Sequence, residues 1–155
     1  HGQNIVTYSL IDNLAMALNV TDPEVVLQYL IKYQPDVKEN LPYYDKLIAG
    51  VLAYYQEYHL AGKERVKPTH EHDDAVRAFI EALENLAAEG EVTAESAQNA
   101  SFQSAKEREI NMKQWFGVLY RIFLGQDSGP RIGSFVVLIG VEKAIARLKA
   151  HLDGV

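Results

Sequence analysis

Cysteine is absent from the chain. That excludes a disulfide framework and any thiolate metal site, and it fits a reducing compartment. No apolar run approaches the ~20 residues that span a bilayer, and there is no signal-peptide pattern, so no membrane partner is expected and the expected location is cytoplasmic. Nucleotide machinery is missing as well: there is neither a Walker-type glycine-rich loop nor a Gly-x-Ser-x-Gly elbow. No segment alternates apolar and polar residues as a half-buried strand would, nothing repeats at a fixed period, and no heptad is sustained. What these absences leave is an all-α chain with no catalytic residues of its own.

The 155 residues, 48% hydrophobic and 23% charged, suffice for one domain or two small helical subdomains with an adequate core. The chain opens on His1-Gly2 rather than methionine, which reads as a processed or excised piece. The net charge of −6 is unevenly spread. Residues 1–105 hold 7 Lys/Arg against 16 Asp/Glu, whereas residues 106–155 hold 8 against 5. A basic C-terminal third on an acidic body is compatible with local phosphate contacts, and equally with none.

Taken in order, Thr7 to Leu18 reads as a first helix with Tyr8, Ile11, Leu14, Ala15 and Leu18 on one face. Thr21 and Glu24 look like a capping box around Pro23, opening a helix that buries Val25, Val26, Tyr29 and Leu30 until Pro35 stops it. A third helix runs from about Leu41-Pro42 to Leu60 and is rich in tyrosine: Tyr43, Tyr44, Tyr54, Tyr55 and Tyr58. Base stacking is one reading of these rings, and packing with a wet hydroxyl is the blander one. The basic stretch Ala61 to Pro68 reads as a hinge, and it divides the chain into helical subdomains 1–66 and 67–155.

Thr69 is expected to cap the next helix, whose first turns hold His70, Glu71, His72, Asp73 and Asp74. Two histidines among carboxylates invite a metal. But His70 and His72 do not share a helix face, no distant ligand is identifiable, and acidic residues at a helix start already suit the macrodipole. No metal is expected. That helix continues through Val76, Phe79, Ile80, Leu83 and Leu86 to Gly90. Thr93 starts another reaching about Arg108, with small residues for close packing and Gln98, Asn99, Gln103 and Ser104 forming a polar face.

The chain is organised around Trp115 to Leu148. Met112 to Leu124 reads as a largely buried helix ended by Gly125 as a left-handed cap. Ser128 can then cap, and Pro130 can open, a helix over 130–139 that holds Arg131 in its first turn. A helix over 141–152 follows Gly140. A first-turn arginine beside unpaired N–H groups suits an anion.

This stretch resembles the C-terminal signature of class I lysyl-tRNA synthetases. The residues that carry the likeness are Leu119-Tyr120-Arg121 with Leu124-Gly125, then Ser128-Gly129-Pro130-Arg131 with Gly133 and Phe135, then Leu138 to Lys143. The resemblance implies two packed helical subdomains forming an anticodon-binding helical cage, as in the class I lysyl and glutamyl enzymes. It implies tRNA(Lys) and the catalytic domain of the same enzyme as partners. The synthetase motifs that handle ATP are missing, so this piece would hold no cofactor, while the full enzyme would use ATP with Mg to join lysine to tRNA. The candidate tRNA contacts are Arg131 first, then Arg121, Lys113, Arg108 and Lys106, because guanidinium and ammonium groups suit phosphates and splayed base edges. Trp115 and Phe135 can stack or pack. A helical protein-interaction module without nucleic-acid binding is the alternative, and a metal sensor built on His70–Asp74 is a third class.

Overall fold

The computed structural model describes residues 6–57 and 65–155, and among them every regular element is helical. The chain divides into two compact units, one through residue 64 and the other from Arg65 to Val155.

The first unit contains α1 (Tyr8–Leu18), α2 (Pro23–Tyr33), a 3₁₀ turn (Pro35–Asn40) and α3 (Leu41–Tyr55). Thr7 caps α1 by accepting from the Leu10 N–H. Asn19 ends it in the left-handed region at φ 53°. The Asn19 side chain also accepts from the Tyr55 hydroxyl at 2.9 Å, so a ring only 1% exposed keeps its polar end satisfied. The core joins Ile11, Leu14 and Ala15 to Val26, Leu27 and Leu30, and to Ile48, Val51 and Leu52.

Three expectations shift here. The α2 cap is Asp22, not Thr21: its carboxylate accepts from the Glu24 N–H at 2.9 Å. Pro23 thereby occupies the first helical position, where its missing N–H costs nothing. Leu27 rather than Val25 or Tyr29 is buried, and Tyr8 is exposed, stacked edge-on against Tyr54. Tyr58 and the expected end of α3 near Leu60 lie outside the described residues, as does the hinge from Ala61 to Glu64.

The second unit contains α4 (Asp73–Glu89), α5 (Ala94–Lys106), α6 (Met112–Leu124), α7 (Ile132–Ile139) and α8 (Val141–Leu152). Arg65 and Val66 belong to it. The Val66 N–H donates to the Gly125 carbonyl at 2.7 Å, and the Arg65 stem lies over Gly125. Trp115 is fully buried, donating from its ring to the Ser101 carbonyl at 2.9 Å and meeting Phe79 edge-on. Phe135 packs likewise against Phe123. Trp115 and Phe135, which could stack or pack, are therefore both core. Arg147 reaches from α8 to the Ile122 carbonyl at 2.8 Å, placing a cation at the negative end of α6.

Local signals set several boundaries as expected. Thr93 and Ser96 exchange hydrogen bonds in a capping box, and Gly125 adopts φ 66°. Others are corrected. Thr69 does not cap α4: the helix begins at Asp73 with His72 in the cap position and no side-chain cap, because the chain from 70 to 72 forms a separate turn. Asp73 and Asp74 do occupy its first turn. α5 ends at Lys106, short of Arg108, and Glu109 at φ 56° turns the chain into Asn111, which caps α6.

The largest correction concerns Arg131. α7 begins at Ile132, so Arg131 is the residue before the first turn, with ψ 126°, and Ser128 makes no cap. The cap function comes instead from another helix. Gln98 of α5, buried and not on a polar surface, accepts from the Gly133 N–H at 2.7 Å. Gly133 permits this approach: a Cβ there would run into the Ala94 carbonyl oxygen and lie 2.8 Å from the Gln98 backbone nitrogen. Gly129 does not have positive φ; it is small because Leu124 and Tyr120 press against it.

Three substitutions test this packing. Gly133→Ala is expected to destabilise by about 3 kcal/mol or more, since backbone atoms cannot yield as side chains can. Gly129→Ala, opposed only by side chains, should cost about 1 kcal/mol. Gln98→Leu leaves the Gly133 donor buried and unpaired, with an expected loss of about 2 kcal/mol. Thermal or denaturant melts that rank Gly129→Ala as the worse glycine variant would overturn this account.

Candidate functional site

Two faces of α6 have different fates. Trp115, Val118, Leu119, Ile122 and Phe123 turn inward, while Lys113, Gly117 and Arg121, spaced four apart, share one outward stripe. Beside that stripe lies a cleft of about 400 Å³. α6 supplies Lys113, Gln114, Gly117, Val118 and Arg121; the segment entering α4 supplies Thr69, Glu71 and His72; Asp127 closes the end beyond Gly125.

Gly117 gives the cleft its shape. A Cβ there would find no atom within 4 Å, so the position is not glycine for want of internal space. Its bare backbone leaves a gap between two cations. Lys113 makes no ion pair or side-chain hydrogen bond among the described residues. It also stands in the first turn of α6, where a cation opposes the macrodipole, so helix stability does not explain it. Arg121 donates from Nε to Asp127 at 2.7 Å. That pair is solvent-exposed enough to contribute under about 1 kcal/mol, so its effect is to orient the guanidinium.

The cleft balances charge. Lys113 and Arg121 face Glu71 and Asp127, with Gln114 and Thr69 able to donate and accept and Val118 apolar. A site for phosphate alone would be cationic throughout. Mixed donors and acceptors beside an apolar side chain suit a planar polar heterocycle with hydrogen-bonding edges.

The five cations singled out in the sequence are not brought together. Lys113 and Arg121 line the cleft; Lys106, Arg108 and Arg131 do not. Arg108 donates to the Ser104 carbonyl at 3.1 Å and stands 3.8 Å from Glu107, which is a helix-end role. Lys106 is exposed on the last turn of α5. Arg131 is exposed and makes no ion pair or hydrogen bond through its side chain among the described residues. Glu71, His72, Gln114, Gly117 and Asp127 were not anticipated as cleft residues. The spacing Lys113-x-x-x-Gly117-x-x-x-Arg121 is the one sequence signal that could have found part of the group.

Gly117→Ala is expected to stabilise the fold by up to about 1 kcal/mol, because alanine favours helix and the site has room. A lower melting temperature for this variant would show that the open space beside α6 has been misread.

Against this geometry stand the relatives. A family model described as an anticodon binding domain matches residues 14–152. The lysine–tRNA ligase of Rickettsia rickettsii (strain Sheila Smith) is 34% identical over 140 residues, covering 89% of this chain and 26% of that protein. That of Rickettsia bellii (strain OSU 85-389) is 30% identical over 149 residues, covering 95% and 28%. The chain spans about a quarter of the length of these relatives. With the match running from α1 to the end of α8, the chain belongs to the anticodon binding domain family.

Proposed function

We propose that the chain is the tRNA anticodon-binding part of a class I lysyl-tRNA synthetase. The whole enzyme would join lysine to tRNA(Lys) with ATP and Mg, in the cytoplasm. This part would position and discriminate the tRNA and leave activation to the catalytic domain of the same enzyme. The observation that carries the reading is the family match across residues 14–152. The Rickettsia relatives support lysine, and the Ser128-Gly129-Pro130-Arg131 turn with Leu138 to Lys143 supports class I. Among the described residues no helix is long and apolar enough to cross a membrane.

In this reading the cleft along α6 receives a base turned out of the anticodon loop. A single-stranded loop exposes base edges that a duplex hides, and mixed polar side chains can read them. Arg121, oriented by Asp127, is suited to a base edge through the remaining guanidinium N–H groups. Lys113, a mobile point charge at the mouth, is suited to a phosphate. Lys106, Arg108 and Arg131 would be peripheral contacts to the backbone of the tRNA.

Titration with tRNA(Lys) and with an anticodon-swapped tRNA tests this. Arg121→Ala is expected to lose about 1–3 kcal/mol of discrimination between the two, by analogy with bidentate base readout. Lys113→Ala should weaken both alike and lower the salt dependence of binding by about one unit of slope. Gly117→Leu, which fills the gap, should stay folded and bind poorly. Arg131→Ala is expected to matter less than Arg121→Ala, and the reverse ranking would move the interface to the start of α7. Equal affinity of the wild type for both tRNAs would defeat the anticodon reading altogether.

The chain alone is also expected to show no lysine-dependent exchange between ATP and pyrophosphate. Exchange from a preparation free of full-length enzyme would contradict the division of labour proposed here.

A further inference from the structure

At the 70–73 turn three side chains converge, none of which lines the cleft. Asp73, the first residue of α4, receives His70 from one side: Nδ1 lies 2.9 Å from Oδ2 and 3.2 Å from Oδ1. From the other side comes His151 of α8, whose Nε2 lies 3.0 Å from Asp73 Oδ1. His151 is 78 residues further along the chain and 3% exposed. One donor atom from each of the three residues fits within a span of 4.8 Å.

We propose that His70, Asp73 and His151 form a binding site for a divalent transition-metal ion of the zinc type, which ties the last turn of α8 to the start of α4. Two imidazoles and one carboxylate are the donor set of borderline metals, whereas calcium and magnesium demand mostly oxygen. Bonds of about 2.0–2.2 Å to a tetrahedral ion place ligand atoms about 3.4 Å apart. Measured to the one oxygen both imidazoles reach, Asp73 Oδ1, the nitrogen-to-oxygen distances are 3.2 and 3.0 Å and need only a small expansion. Asp73 has no lysine or arginine partner among the described residues, so no competing cation must be displaced. His70 is half-exposed, which leaves a fourth position open to water.

The electrostatics agree with the geometry. Burial pushes the His151 imidazole below its usual range; the Asp73 hydrogen bond opposes this, and the nearby His70 and Arg147 add to it. Burial thus disfavours the charged imidazole, the form that cannot bind a metal. One adjustment is needed. The two rings are stacked with centroids 4.3 Å apart and planes within 9°, so one ion cannot lie in both planes. His70, on the exposed turn, must rotate, and metal loading should therefore unstack the pair.

The chain, stripped of metal by chelation, would be titrated with Zn²⁺ by calorimetry and with Co²⁺ by visible absorption. One equivalent is expected to bind, with a raised melting temperature and a Co²⁺ spectrum of low coordination number. His70→Ala removes an exposed ligand and should fold, yet lose the binding; Asp73→Asn and His151→Asn should lose it too. His72→Ala, at a residue that lines the cleft, should retain it. No binding by the wild-type chain overturns the proposal. So does binding that survives both His70→Ala and His151→Asn, or that is lost with His72→Ala, either of which means an adventitious ion only.

Discussion

The approach of α5 to α7 is the constraint on which the second unit depends. A short apolar helix with six of its eight residues buried cannot leave its first N–H groups unpaired, and its own cap residue contributes no side-chain bond. Gln98 supplies the acceptor from across the interface, and the absence of a side chain at Gly133 lets it come near enough. This one contact fixes where α7 starts. It therefore also fixes that Gly129 and Pro130 belong to the crossing loop, and that Arg131 stands outside the helix rather than within its first turn.

With α7 pinned, α6 has a defined inner face and a defined outer one. Burial of Trp115, Val118, Leu119, Ile122 and Phe123 sets the rotation of the helix about its axis. Lys113, Gly117 and Arg121 follow from that rotation, since they occupy the opposite stripe at four-residue spacing. The candidate site is thus a by-product of core packing in its placement, while its chemistry lies in residues the core does not use. A rigid helix carrying the polar groups is what discriminating between similar bases requires, because a hydrogen bond misplaced by an ångström no longer discriminates.

The parts that were legible in the sequence are those whose cause lies within a few residues. The all-α class, the helix start at Thr93, the left-handed Gly125 and the burial of Ile11, Leu14, Val76 and Phe79 all follow from local spacing and side-chain shape. The parts that were not legible depend on partners far along the chain. Gln98 reads as a surface residue until Gly133, 35 positions later, comes to meet it. The His70 and Asp73 pair reads as an ordinary acidic helix start until His151 arrives from α8. α7 starts two residues later than expected, enough to move Arg131 from a helix turn to the bend before it, and the anion argument built on that turn transfers to Lys113 at the start of α6.

The turn from His70 to Asp73 contributes to both the cleft and the three-residue cluster. His72 lines the cleft, while its neighbour Asp73 meets both His70 and His151. The cleft's far wall is consequently only as firm as the grip of α8 upon this turn, and by thermodynamic reciprocity anything that stiffens the wall also stiffens the chain's final helix.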